Sequence, residues 1–298
     1  MRGRVSWLHS FAGSTGISRS TGNSRIARIA RIAGIARIAS ISLVLALVLA
    51  ASRPACAQGF AALVSPPRFE LAARPGKVLR SVVEVSNRST APARYLVHTA
   101  DWTFAPDFSV SFHDELQLGS CRPWVAIERA EVVVPGGGTL RYRFEVNVPA
   151  DAPAGECRFA LMIEGAEPSI ARSNGLDMPV TGRIGVIVYL TVGDGAPDLE
   201  VFGPKIATLN GRQIPALRVH NSGSAHGRMS GFLTGTDAKG ITYDFTPSDF
   251  PILPHEEREV FLTPSTATDD HPTLTFPVTV KGTLEWGRQR TELNQQFE

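Results

Sequence analysis

The chain has 298 residues, 43% of them hydrophobic, enough for two domains of ordinary size with sizeable cores. Its formal net charge of +2 misleads, because residues 1–57 carry eight arginines, no lysine and no acid. Without those eight, 22 basic side chains face 28 acidic ones, a net of about −6, and such a chain is unsuited to sequence-independent nucleic-acid binding, which needs basic surface against phosphates.

Residues 1–57 read as a targeting segment rather than as structure. Arg25, Arg28, Arg31 and Arg37 lead into an apolar run at 38–51, and Ala55-Cys56-Ala57 then offers small residues where signal peptidase reads them. Cleavage is expected after Ala57, with export to the periplasm. The run is too short to span a bilayer comfortably, so no stable membrane insertion is expected once it is removed. A lipoprotein signal would want an apolar residue where Arg53 stands. The acid-free, Arg- and Ser-rich leader also fits a mitochondrial presequence, against which the Ala-x-Ala end argues. The RIARIARIA stretch is longer than a secretory signal needs and is consistent with a true start downstream of Met1.

Alternation of period two dominates the rest. It is clear at 78–85, 140–148 and 157–163, while 184–192 (IGVIVYLTV) is richer in apolar residues, as suits a strand covered on both faces. Turn residues separate these runs at Pro75-Gly76, Pro135-Gly136-Gly137-Gly138, 149–155 and Ser173-Asn174-Gly175. Asp194-Gly195-Ala196-Pro197 breaks the pattern, and a second strand series follows at 199–202, 216–220, 231–236, 258–262, 275–280 and 282–286. One motif occurs twice: VEVSNRSTAPARY from Val83 and LRVHNSGSAHGRM from Leu217, each a strand, an Asn, a small polar turn and an Arg. The offset of about 134 residues is roughly one β-sandwich with its linker. With no amphipathic helix in evidence, the expectation is an all-β chain of two related sandwiches, at 58–194 and 198–298.

No catalytic constellation stands out: there is no Gly-x-Ser-x-Gly, no His-Glu-x-x-His and no phosphate loop, so no enzyme and no cofactor are expected. Gly136-Gly137-Gly138 precedes no helix that would hold a phosphate. His220 and His226 flank the second Asn turn and invite a shared metal, but exposed loop histidines are the simpler account; Asp269-Asp270-His271 suits a solvated loop, and no metal site is assigned. Once Cys56 leaves with the leader, Cys121 and Cys157 remain. In an oxidising compartment such a pair reads as a disulfide, with two buried free thiols as the alternative. Closing that loop would stabilise by about 4 kcal/mol in the chain-entropy model.

Two arginines stand in apolar settings: Arg68 within Ser65-Pro66-Pro67-Arg68-Phe69, and Arg183 at the head of the most apolar strand. Either can bind a carboxylate through two parallel hydrogen bonds, or be an ordinary strand-end charge paired with Glu or solvent. Just upstream of Arg183, Leu176, Met178 and Val180 alternate along an extended segment. Such a segment can add to another sheet, its alternate side chains filling the partner's groove, or it can fill its own domain's core. Pro179 removes one donor and blunts the edge against aggregation.

Several of these elements occur in an order that resembles the periplasmic chaperones of the pilus chaperone–usher pathway, over roughly residues 61–192. They are Ser65-Pro66-Pro67-Arg68-Phe69, Arg74-Pro75-Gly76, the Val-x-Val-x-Asn strand ending Asn87-Arg88-Ser89, Trp124 in CRPWV, Pro149-x5-Gly155-Glu156-Cys157-Arg158, and Ser173-Asn174-Gly175-Leu176. The resemblance implies two tandem immunoglobulin-like sandwiches holding an incomplete secreted β-sandwich subunit, with an outer-membrane usher as a further partner. It implies that Leu176, Met178 and Val180 are lent to the subunit's sheet. It further implies that Arg68 and a second cation in the interdomain cleft anchor the subunit's C-terminal carboxylate. That second position matches Arg183 in one register; another puts Gly185 there and leaves the site incomplete. The second domain matches the family less clearly, and the cysteine pair is unusual for its better-known members. The competing expectation is a structural or adhesive envelope protein in which the sandwiches are spacers or binding modules.

Overall fold

The computed structural model describes residues 60–173, 176–269 and 272–298. The leader with its cleavage site, Asn174-Gly175 and Asp270-His271 lie outside these residues. The described chain is almost entirely β-structure, as the alternating sequence predicts, and among the described residues no helix is long and apolar enough to cross a membrane.

The first sandwich is built from β1 (Ala62–Ser65), β2 (Arg68–Ala73), β3 (Val78–Asn87), β4 (Ala93–Phe104), β5 (Val110–His113), β6 (Val125–Ile127), β7 (Glu131–Val134), β8 (Thr139–Asn147), β9 (Gly155–Gly165), β10 (Ser169–Ser173), β11 (Leu176–Val180) and β12 (Arg183–Val192). One sheet runs β1-β3-β8-β6 and the facing sheet β2-β12-β9-β4-β5, with β7 also on β4. Pro66-Pro67 breaks the first strand, so that β1 pairs antiparallel in one sheet and β2 pairs parallel with β12 in the other. This is the immunoglobulin arrangement, in which the first strand is shared between the layers. Inward residues of both layers, among them Val83, Val85, Val97, Tyr142, Phe144, Phe159, Leu161 and Val188, form one core. Cys121 and Cys157 are joined by a disulfide, Cα–Cα 5.6 Å, which ties the turn before Trp124 to β9.

The second sandwich comprises β13 (Leu199–Leu209), β14 (Arg212–Asn221), β15 (Ser230–Thr236), β16 (Thr242–Pro247), β17 (Glu257–Ser265), β18 (Val278–Trp286) and β19 (Gln289–Phe297), in the order β13-β14-β17-β16-β15-β18-β19. The first half of β17 pairs with β14 and its second half with β16, which carries the path from one layer to the other. Leu217, Val219, Leu233, Phe245, Leu262, Val280 and Leu284 consequently meet in a single core. The runs expected as two strands at 275–280 and 282–286 are the one strand β18. Gly282 does not break it; a Cβ there would lie 2.1 Å from the Phe232 carbonyl oxygen, so the glycine marks a close approach of β15. β19 escapes a periodicity search because its sequence, QRTELNQQF, is polar at nearly every position, as befits a largely exposed edge.

The repeated motif is a repeated structure. Asn87 and Asn221 are both buried at the end of a core strand. The Asn87 Oδ1 accepts the Ser89 N–H, and its Nδ2 donates to the carbonyls of Ala91 and Val134. The Asn221 Oδ1 accepts the Gly223 N–H, and its Nδ2 donates to Ala225 and Ile252. In each copy the amide closes its own turn and secures a carbonyl from a distant segment, a task that needs a donor and an acceptor on one short side chain.

Candidate functional site: the cleft between the sandwiches

The outer face of the β2-β12-β9-β4 sheet turns towards the second sandwich. Alternation places Val186, Val188, Leu190 and Val192 in the inner core and leaves residues 183, 185, 187, 189 and 191 on that outer face. Register then aligns rows across the strands. Arg68, Ile187 and Ala160 form one row, and Glu70, Tyr189 and Arg158 the next. Ile187 and Tyr189 pack there with Trp102, Met162 and, from the second sandwich, Leu253. An apolar strand covered on both faces results, which is why its sequence shows so little alternation.

The loop after Asn221 closes over the Glu70–Tyr189–Arg158 row. The His226 ring lies on Tyr189 with centroids 4.0 Å apart, and its Nδ1 meets the fully buried Glu156 carboxylate at 2.5 Å. The same Glu156 oxygen accepts the His226 backbone N–H at 3.0 Å. Arg228 donates from Nη1 to the Asp249 carbonyl, and its Nε lies 3.4 Å from Glu70 Oε1. Arg158 packs over Trp102, its Cζ 5.2 Å from the ring centroid, and its buried Nη1 has no hydrogen-bond partner. Burial, opposed by the Arg228 charge, pushes the Tyr189 phenol up to about 12. Glu70, Tyr189, His226 and Arg228 line a cleft of about 370 Å³ together with Thr191, Gly195, Pro197 and Gly227, while Glu156 and Arg158 lie outside its lining.

Arg68 is not part of the cleft lining but adjoins it through Glu70: it is 44% exposed, with its Nε 3.0 Å from Glu70 Oε1. Arg183 shares the sheet face but stands four residues before Ile187, the partner of Arg68, which is about 13 Å along the strand. It lies 3.9 Å from Glu164. Gly185 comes between them, and a Cβ there would be 2.2 Å from Phe112 Cζ, so an aromatic ring from β5 covers the position. Sequence reasoning gave Arg158, Arg228, Glu156 and Tyr189 no site role, and weighed His226 only with His220 as a metal ligand. The second copy of the Asn motif carries His226 and Arg228, and the Gly155-Glu156-Cys157-Arg158 stretch carries Glu156 and Arg158.

Upstream of the cleft the sheet is left open. Residues 183–186 of β12 pair with β9 on one side, while β2 begins only opposite Ile187 on the other, and no described strand covers the gap. Immediately before this gap, β11 pairs with β10 and exposes Leu176 (68%), Met178 (48%) and Val180 (44%). A larger hollow of about 430 Å³ lies at the other end of β9, beside Phe60, Tyr95 and Gly165. Its one arginine, Arg94, already lies near Glu131 and Glu167. Among the described residues, no group of three or more His, Cys, Asp or Glu side chains is placed to hold a metal ion.

Neither a protein-family model nor a curated protein matches the chain. Among solved structures, the chain is similar to the class 5 fimbriae chaperone CfaA, at 12% identity over 80% of this chain and 99% of that one, with a TM-score of 0.43. It is similar to the CupB2 chaperone of Pseudomonas aeruginosa at 12% identity, covering 79% of this chain and 100% of that one, TM-score 0.42. It is also similar to the E. coli chaperone DraB at 12% identity, covering 80% and 100%, TM-score 0.42. Similarity of that depth carries no functional argument, which rests instead on the open edge of β12 and the cleft below it.

Proposed function

We propose that this protein is a periplasmic chaperone-like factor that holds secreted β-sandwich subunits by adding a strand to them and anchoring their C-terminal carboxylate. The observation that carries this reading is the half-open edge of β12, which runs from the exposed apolar strand β11 down to a cationic cleft. A client strand laid along residues 183–186 completes its main-chain hydrogen bonds there, and Leu176, Met178 and Val180 fill the client's groove. A client whose C-terminus lies at Arg68 must run in the direction of β12, as a collinear extension of β2. Arg68 takes the terminal carboxylate, and Arg183 meets the same client further up the strand. The leader supports export, and delivery to an outer-membrane usher follows from this reading. No cofactor enters.

The other reading is a structural or adhesive envelope protein. It draws on the pairing of Arg68 with Glu70 and of Arg183 with Glu164, which makes both arginines ordinary strand-end charges. Affinity recovery of the mature protein from its periplasm separates the two, with wild type run beside a folded Arg68→Glu variant. A small secreted β subunit recovered with wild type alone supports the chaperone reading. The same partners with both proteins, or none with either, favours the structural one.

A further inference from the structure

We infer that Glu70 is an internal carboxylate that occupies the cation cluster of the cleft and thereby sets which ligands enter it. The inference rests on the strand-addition reading above. Three nitrogen groups from two sandwiches converge on one oxygen, Glu70 Oε1: Arg68 Nε at 3.0 Å, Arg228 Nε at 3.4 Å and His226 Nε2 at 3.8 Å. Arg68 and Glu70 are two apart on β2, so the strand's alternation turns both to the cleft. The Glu70 side chain is 49% exposed, and its departure would uncover no core.

Glu70 fits this position incompletely. The Arg228 Nε is buried yet lacks a hydrogen bond, because the Glu70 oxygen 3.4 Å away is not aligned with it. An incoming carboxylate with both oxygens free to orient can accept from Arg228 Nε the charge-assisted hydrogen bond that Glu70 leaves unmade. It must nevertheless displace an anion already in place. A lone carboxylate therefore exchanges one ion pair for another and gains little, whereas one carried on a strand that also pairs along residues 183–186 gains the main-chain hydrogen bonds besides. Glu70 thus makes the cleft select a chain terminus attached to an extended segment over free small anions.

The test uses the mature protein and a labelled nine-residue peptide of alternating Val and Thr, made as the free acid and as the C-terminal amide. Binding is followed by fluorescence anisotropy, with sodium acetate as competitor. Wild type is expected to prefer the acid and to ignore acetate. Glu70→Gln, shown folded by its thermal transition, is expected to bind the acid about tenfold more tightly, to bind the amide unchanged, and to become sensitive to acetate. If Glu70→Gln binds the acid no better than wild type while the acid preference persists and Arg68→Ala abolishes it, the role of Glu70 is overturned and the carboxylate reading stands. If no protein distinguishes acid from amide, both fall.

Discussion

At the scale of single residues, the two buried asparagines carry a disproportionate share of the turn geometry. Replacing Asn87 or Asn221 by Ala strands a turn N–H and the two carbonyls to which each amide donates. Each variant is expected to lose about 2–3 kcal/mol, the cost of leaving buried groups unsatisfied. A denaturant midpoint unchanged from wild type would show that the turn is held by other means. Tyr189 makes a second prediction. Its phenol holds its proton up to about 12 in the folded protein, against an ordinary value of 10. Above pH 10 the unfolded chain ionises first and gains stability, so the folded state's advantage is complete below pH 10 and is lost as pH climbs towards 12. The loss attributable to this group is about 2–3 kcal/mol. Tyr189→Phe should flatten that part of the stability profile, and an equally steep fall in the variant would count against a buried neutral phenol.

At the scale of elements, β11 and β12 show how one stretch of chain divides its work. β12 has both faces covered, so its apolar residues are core. The five residues of β11 are all exposed, so its apolar residues stabilise little. Changing Leu176 and Met178 together to Asp should therefore shift the unfolding midpoint by no more than about 0.5 kcal/mol, as for other surface changes. Under the proposed function the same double variant fails to recover the secreted subunit. A large loss of stability would instead place these side chains in the protein's own core, the other expectation raised by their alternating sequence. Arg183 and Gly185 illustrate what such alternation leaves open. Both face outwards with Arg68, as a period-two pattern requires, yet the strand's rise puts Arg183 near Glu164 and tertiary packing puts Phe112 over Gly185.

At the scale of the whole molecule, a second contact besides the cleft joins the sandwiches. Arg258, buried on β17, donates to the carbonyls of Phe104, at the end of β4, and Ala105, in the loop that follows, and its Cζ lies 4.1 Å from the Phe104 ring centroid. Phe108 of that loop stacks on Phe250 at 4.3 Å and packs against Phe261, with its backbone at a positive φ of 66°, a costly conformation for a bulky residue that the surrounding packing must hold. Arg258→Ala removes both hydrogen bonds and the stacked cation. We expect a loss of about 2–4 kcal/mol in coupling between the sandwiches. It would register as a larger radius of gyration in solution scattering and faster proteolysis of residues 193–198. Unchanged scattering and cleavage would mean that the cleft contacts alone fix the angle.

The amino-acid sequence by itself determined the all-β character, most of the core strands and the repeated asparagine turn. Each depends on residues close together in the chain: on side-chain alternation, or on an amide reaching a group two or four positions away. The cleft was decided only by tertiary structure, because its charged groups and the Tyr189 phenol are brought together from β2, β9, β12 and a loop of the other sandwich. Arg94 and Arg228 occupy the same place in the two motif copies, yet one pairs with Glu131 and Glu167 on the surface and the other reaches Glu70 between the sandwiches. No local pattern separates them. The difference arises from what the second sandwich lies against, and that is set by contacts between residues far apart in the chain, such as Arg228 with Glu70 and Arg258 with Phe104.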